Sequence, residues 1–253
     1  MAAETSREPA PAESAGRRYL AATLELVERL VEQEWPNIAA AADLVADAVE
    51  RNGTIHAFGT GHSHLLAEEL FYRAGGLVGV RPILFEGLML HVSTRLSTSL
   101  ERMPGLAAAL LDDHPIAAGD VLIVASNSGR SAVASELAVA ARRGGASVIA
   151  ITSLRHATSA RARASAAQPL HEVADVVIDN GGWVGDAAVA IEGLDRNVGP
   201  TSTVVGAAIL NAMTAEAVER LVARGIVPDV YSSSNVEGGD AANTPFLERE
   251  TAP

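Results

Sequence analysis

The sequence predicts an α/β fold in which a parallel β-sheet is buried between two layers of helices. Short apolar runs alternate with helical segments between Thr54 and Asp179, which is the pattern of parallel strands joined by helices. The runs are continuously apolar, as expected for strands that are covered on both faces. Hydrophobic residues make up 48% of the 253 residues and aromatic residues only 4%, so the core must consist mainly of Ala, Val, Leu and Ile.

The residues before the first strand predict a tail and two helices. Residues 1–16 are rich in Ala, Glu, Pro and Ser and have no apolar stretch like that of a signal peptide. We therefore expect a disordered tail, followed by a single domain over residues 17–253. Apolar residues recur at helical spacing from Arg17 to Glu34. Pro36 interrupts this pattern, and a second helix is expected from Ile38 to Arg51.

Five strands follow, separated by helices and loops. The predicted strands are Thr54–Phe58, Pro82–Glu86, Asp120–Ala125, Ser147–Thr152 and Ala174–Asp179. The predicted helices are Ser63–Ala74, Leu106–Leu111, Ser131–Arg143 and Thr203–Arg224. From Pro228 onward the sequence is typical of a loop.

Composition and charge argue against several classes of function. The chain has no cysteine, which excludes disulfides, thiolate metal sites and a cysteine nucleophile. The net charge of −12 and the lack of a long Lys/Arg cluster argue against nucleic-acid binding. No apolar run approaches the roughly 18 residues of a membrane span, so we expect a cytoplasmic protein that does not bind membranes.

Two loops of small residues follow the first and third predicted strands, and each opens a helix. The first loop, residues 59–63, contains Gly59, Gly61 and Ser63. The second loop, residues 126–131, contains Ser126, Asn127, Ser128, Gly129 and Ser131. In open parallel sheets, ligands bind beyond the carboxyl ends of the strands, where strand order reverses.

The residue types in both loops suit a phosphate group. Glycine lets the backbone approach a ligand closely, helix N-termini present free N–H groups, and serine hydroxyls add hydrogen-bond donors. A serine at a helix start is often only an N-cap, but two such loops favour a binding site. Neither loop has the dinucleotide or Walker pattern, and no cofactor is expected.

The second loop and the strand before it resemble the signature of the SIS (sugar isomerase) domain family. That signature is a strand followed by Ser-x-Ser-Gly-x-Ser/Thr, and residues 126–131 have this form. Residues 59–63 resemble the family's first loop, and the resemblance extends over about residues 38–224. Residues 199–203 and 235–240 are similar to a group of stand-alone SIS proteins.

The resemblance implies a flavodoxin-like sheet with strand order 2-1-3-4-5, a phosphorylated sugar as ligand, and a homodimer or homotetramer. The family's phosphate-binding hydroxyls match Ser63, Ser126, Ser128 and Ser131, and Asn127 matches a ligand-contacting position. The family contains isomerases, an etherase and sugar-sensing regulators. The resemblance therefore supports phosphosugar binding by this chain better than it supports any one reaction. We expect a phosphosugar aldose–ketose isomerase. The alternatives are a non-catalytic phosphosugar-binding protein and an amino-sugar-phosphate lyase or etherase.

Isomerisation needs an acid–base group beside the sugar, and several glutamates are candidates. Glu86 ends the second predicted strand, and Glu69 lies on the helix after the first loop. Glu68 and Glu216 are weaker alternatives, since a lone glutamate on a helix usually faces solvent.

Histidines near the first loop are further candidates. His62 lies inside this loop and His91 follows Glu86 by five residues, so either is able to bind the sugar or to act as an acid. His62 and His64 have a His-x-His spacing, but no third ligand follows at a recognised spacing, so we expect no metal. The predicted last helix has no histidine, unlike that of heptose-phosphate isomerases.

The polar segment near the C-terminus has two interpretations. It contains Asn235, Glu237, Asp240 and Asn243. An exposed chain end is the simpler interpretation, and a flap that holds sugar hydroxyls at a subunit boundary is the other.

Overall fold

A computed structural model of the chain describes residues 14–160 and 167–250. Five parallel strands form one sheet: β1 Ile55–Gly59, β2 Val80–Ile83, β3 Val121–Ala125, β4 Ser147–Thr152 and β5 Val176–Asp179. Their order in space is β2-β1-β3-β4-β5. Both the predicted fold class and the predicted strand order are confirmed.

Helices cover both faces of this sheet. They are α1 Ala15–Arg29, α2 Trp35–Glu50, α3 His64–Leu70, α4 Thr94–Leu100, α5 Leu106–Asp113, α6 Ala132–Arg143, α7 Leu154–Ala157, α8 Leu170–Val173, α9 Ser202–Ala223 and α10 Gly239–Glu250. One core packs α2, α3 and α9 on the sheet, and the other packs α5, α6 and α8. Because successive side chains of a strand point to opposite faces, Ile123 joins the first core and Leu122 and Val124 join the second.

The first two helices are continuous rather than separate, so the predicted break at Pro36 is wrong. A π-turn, Leu30–Glu34, joins α1 to α2, and Pro36 lies within the first two positions of α2. Proline is tolerated in the first turn of a helix, where its missing N–H costs no hydrogen bond.

The π-turn carries a buried polar cluster that fastens this long helix to the end of β5. Glu34 accepts a hydrogen bond from the backbone N–H of Asp179 at 3.1 Å. Arg29 donates to the Asp179 carboxylate at 2.8 Å and to Glu34 at 3.3 Å. π-Turns inside helices are rare and often lie near functional sites.

The segment after Pro228 is not a loop throughout, because α10 occupies residues 239–250. Asn243 is buried and brackets the backbone of Ser232, accepting from its N–H at 2.9 Å and donating to its carbonyl oxygen at 2.8 Å. A bridge between Leu77 and Val230 places this segment beside the amino end of β2, away from the carboxyl ends of the strands. Within residues 14–160 and 167–250, no helix has the length and apolar character that crossing a membrane requires.

Candidate functional site

The two loops leave the sheet side by side. β1 and β3 are neighbours, and their last residues, Gly59 and Ala125, pair with each other. The first loop leads to α3 on one face of the sheet, and the second leads to α6 on the other. The chain therefore diverges at this point and leaves a crevice between the loops, which is the position of ligand sites in open parallel sheets.

Glycine is required at three positions in these loops. A Cβ atom on Gly59 would lie less than 3.0 Å from the carbonyl group of Ser63, so only glycine allows β1 to approach the start of α3 so closely. Gly61 and Gly129 have left-handed backbone conformations, with φ of +57° and +61°. Residues other than glycine rarely adopt this conformation. A Cβ atom on Gly129 would also lie 2.9 Å from the hydroxyl of Thr152.

The second loop ends at the N-terminus of α6, which has no side-chain cap. Ser131 occupies the N-cap position, but its hydroxyl donates to the backbone oxygen of Glu101 at 3.0 Å instead of accepting from the helix. Ser126 is buried, and Ser128 is half-buried with only a long contact of 3.4 Å, to the N–H of Arg130. A helix N-terminus without a side-chain cap, beside serine hydroxyls, is a favourable place for an anion.

Asn127 is held in one orientation by the neighbouring strand ends. Its side-chain oxygen accepts a hydrogen bond from Asn180 at 3.0 Å. Its backbone oxygen accepts from the N–H of Ser153 at 3.1 Å and from the hydroxyl of Thr152 at 3.3 Å. The side-chain NH₂ of Asn127 has no partner within the described residues, and it remains available to donate to a ligand.

The histidines near the first loop have different surroundings. His62 is exposed. His64 contacts the backbone oxygen of Gly61 and lies 3.8 Å from Glu68. The ring centroids of His64 and His91 are 6.5 Å apart, so His91 lies near the first loop. Ser63, the last residue of this loop, is half-buried. Among the described residues, no group of three His, Asp or Glu side chains is arranged to hold a metal.

The two glutamates that the sequence favours lie in unequal positions. Glu69 is bound by Arg73 at 3.0 Å and by Asn211 of α9 at 2.8 Å, so its carboxylate joins α3 to α9. The prediction that Glu86 ends the second strand is wrong, because β2 ends at Ile83. Glu86 instead begins a short 3₁₀ turn and is exposed. The shift arises because Val80 and Arg81 pair with β1, whereas residues 84–86 do not.

Glu101 contacts both loops and was not singled out from the sequence. Its carboxylate accepts a hydrogen bond from the hydroxyl of Thr60 in the first loop at 3.2 Å. Its backbone oxygen accepts from the Ser131 hydroxyl at 3.0 Å and from the N–H of Val133 at 3.3 Å. No sequence pattern marks Glu101, because only the packing of α4 brings it to the crevice.

Thr201, Ser202 and Thr203 form a Thr/Ser run at the start of α9, which is capped by a carboxylate from another segment. Asp186 accepts hydrogen bonds from the N–H groups of Thr201 and Ser202 at 3.1 and 3.0 Å, and also from the Ser202 hydroxyl. This carboxylate thus caps α9, which favours a structural role for the run. Nearby, burial lowers the pKa of His156, against the opposing effect of the Asp186 charge.

Comparisons with known proteins agree with this geometry. The family model described as SIS domain matches residues 18–153. A UPF0309 protein of Listeria innocua is 42% identical over 91% of this chain and 94% of its own length. A UPF0309 protein of Geobacillus thermodenitrificans is 43% identical over 92% of this chain and 93% of its own. The structure of a phosphoheptose isomerase from Francisella tularensis has the same fold, with a TM-score of 0.53 and 15% identity, over 79% of this chain and 95% of that one. This chain belongs to the SIS domain family.

Proposed function

We propose that the protein binds a phosphorylated sugar in the crevice between the first and second loops. The observation that carries this proposal is the N-terminus of α6, which lacks a side-chain cap and has Ser126, Ser128 and Gly129 immediately before it. Helix N–H groups and serine hydroxyls together supply several donors for the phosphate oxygens without a basic residue. Membership of the SIS domain family, and the shared fold of a phosphoheptose isomerase from Francisella tularensis, support the same class of ligand.

The sugar itself has polar partners at the edges of the crevice. The free NH₂ group of Asn127 is a donor for a sugar hydroxyl, and the carboxylate of Glu101 is an acceptor. Ser63 and His91 lie on the side of the first loop. This distribution suits a ligand whose phosphate binds at the second loop and whose carbon chain extends toward the first.

We also propose that the reaction is aldose–ketose isomerisation of this phosphosugar. Glu86, His62 and His91 stay predictions as catalytic groups. A second candidate function, phosphosugar binding without catalysis, is favoured by one observation: Glu69 is already bound by Arg73 and Asn211. The reaction must therefore be tested separately from binding.

A thermal-shift screen against sugar monophosphates tests the binding proposal. Free sugars and inorganic phosphate serve as controls. A ligand at 100 times its dissociation constant stabilises the fold by about 2.7 kcal/mol, which raises the Tm by roughly 5–10 °C for a chain of this size. We expect stabilisation that requires both the sugar and the phosphate, and Ser128→Ala should reduce it. A flat screen across hexose, pentose, heptose and amino-sugar phosphates would contradict the proposal.

We further propose that the protein is a homodimer or homotetramer that uses the exposed side of α1. Leu20 and Leu24 lie one helical turn apart on α1, and Val31 lies in the π-turn that follows it; they are 67%, 58% and 71% exposed. Arg17 near the start of the helix and Glu32 just beyond its end are also exposed. In an antiparallel pair about a two-fold axis, the basic end of each helix meets the acidic end of its partner. The charges at the two ends of this surface therefore complement each other across the two-fold axis.

A further inference from the structure

Glu101 bridges the two loops of the crevice. Its carboxylate touches the first loop through Thr60, and its backbone oxygen touches the start of α6 through Ser131. Within residues 14–160 and 167–250, no other acidic residue is seen to hydrogen-bond to both loops. A ligand that spans from Thr60 to Ser131 would therefore lie beside this side chain.

The carboxylate of Glu101 has little structural work to do. The backbone oxygen alone accepts the bonds from Ser131 and Val133, and any residue supplies that oxygen. The side chain has one hydrogen bond, 3.2 Å from Thr60, and a distant cation, Arg102, at 3.8 Å. It is 29% exposed, so it remains open to a ligand.

Glu101 lies between two helix ends that have opposite effects on its charge, and one of them, the N-terminus of α6, favours an anion. Glu101 occupies the C-cap position of α4, where the helix dipole disfavours a negative charge. The Glu101 carboxylate is thus partly exposed and hydrogen-bonded only to Thr60 among the described residues, at the edge of the proposed sugar site.

We propose that Glu101 is the group that moves the proton between neighbouring carbons of the bound phosphosugar. This inference rests on the proposed function of the crevice. The Glu101 carboxylate takes the proton from the carbon next to the carbonyl carbon, and the electrons of that C–H bond form the carbon–carbon double bond of an enediol. The carbonyl oxygen gains a proton from water, and the adjacent hydroxyl later returns one to water. Glu101 then delivers its proton to the former carbonyl carbon, so the step is redox-neutral and balanced.

Proton exchange in D₂O tests this role whichever sugar the reaction forms. Each phosphosugar that stabilises the wild-type protein is incubated with it, and loss of the C–H signal is followed by ¹H NMR. We expect exchange with the wild-type protein and at least a 100-fold slower rate with Glu101→Gln, whose melting temperature still rises with the same phosphosugar. Glu172→Gln removes an exposed carboxylate on α8 and serves as the matched control with a wild-type rate.

A second variant keeps the test valid if Glu101→Gln does not fold. Glu101→Asp retains the acid but withdraws it by one methylene group, so exchange should slow at least tenfold while binding persists. Wild-type exchange rates in both variants would overturn the inference, as would exchange lost in Glu69→Gln but kept in Glu101→Gln. A wild-type protein that binds a phosphosugar without any exchange would overturn it too, and would leave the binding proposal standing. If the wild-type protein binds no phosphosugar, the binding proposal itself is contradicted, and the thermal-shift screen shows this before exchange is measured.

Discussion

The carboxylate of Asp120 fastens the amino ends of the central strands. It accepts hydrogen bonds from the backbone N–H groups of Thr54 and Ala117, both at 2.8 Å, and lies 3.2 Å from Nε2 of His56. Its side chain is only 9% exposed. Although burial by itself raises the pKa of Asp120, the hydrogen bonds from the Thr54 and Ala117 N–H groups outweigh it and lower the pKa.

We therefore predict that Asp120→Ala strongly destabilises the fold. The change leaves the N–H groups of Thr54 and Ala117 without their acceptor, and a buried donor without a partner costs about 1–3 kcal/mol. Because Thr54 is half-buried and Ala117 is exposed, water replaces part of the loss, and we expect a destabilisation of about 2–3 kcal/mol. Asp175→Ala is the control, since its carboxylate binds one backbone N–H, that of Val148 at 2.9 Å, and a half-exposed arginine. Loss of the Asp175 carboxylate should lower the free energy of unfolding by about 1 kcal/mol.

Guanidinium denaturation at pH 7 measures both variants through the midpoint and the m-value. The difference between them is the quantity of interest, because both changes remove a carboxylate from a strand boundary. Equal destabilisation of Asp120→Ala and Asp175→Ala, to within about 0.5 kcal/mol, would refute the argument that two backbone amides depend on Asp120.

Three further predictions concern pH, the first loop and assembly. Burial lowers the pKa of His56 below 6.5, against the raising effect of Asp120. Below pH 6.5 the unfolded chain therefore binds more protons than the folded chain, so the free energy of unfolding decreases as the pH is lowered. Denaturation between pH 7 and pH 5 should show this fall in the wild type and a flatter curve in His56→Leu, and parallel curves would contradict it. Gly59→Ala should cost about 1–3 kcal/mol and abolish phosphosugar binding, because its methyl group overlaps the carbonyl group of Ser63; calorimetry showing wild-type affinity would count against the crevice. Leu24→Glu should produce monomers, as measured by light scattering coupled to size-exclusion chromatography. Val227→Glu, which changes another exposed residue, is the control and should leave the mass unchanged. An unchanged mass for Leu24→Glu would exclude α1 as the interface.

The sheet and the two loops were predictable because their signals are local. The apolar run from Val121 to Val124 is long enough and flanked closely enough by small residues to define β3 and the loop after it. The positive φ of Gly129 follows from the same short stretch. The order of the strands came from the resemblance, since no local pattern specifies which strands are neighbours.

Other features depend on contacts that the sequence does not display. The π-turn before Pro36 places the carboxylate of Glu34 against the N–H of Asp179, 145 residues further along. Helix α10 is hidden by Pro245 within it and is held instead by the bonds between Asn243 and Ser232. Glu101 is invisible for the same reason, since its two loop contacts are both made across the tertiary fold.

The cluster at the π-turn has a mechanical consequence for the crevice. Glu34 holds the backbone of Asp179, and the next residue, Asn180, fixes the amide of Asn127. A movement of the long N-terminal helix therefore pulls on the second loop through a few short hydrogen bonds, unless one of them breaks. The exposed side of α1, proposed as the subunit interface, and the Asn127 amide, proposed to bind the sugar, are thus connected through one series of hydrogen bonds.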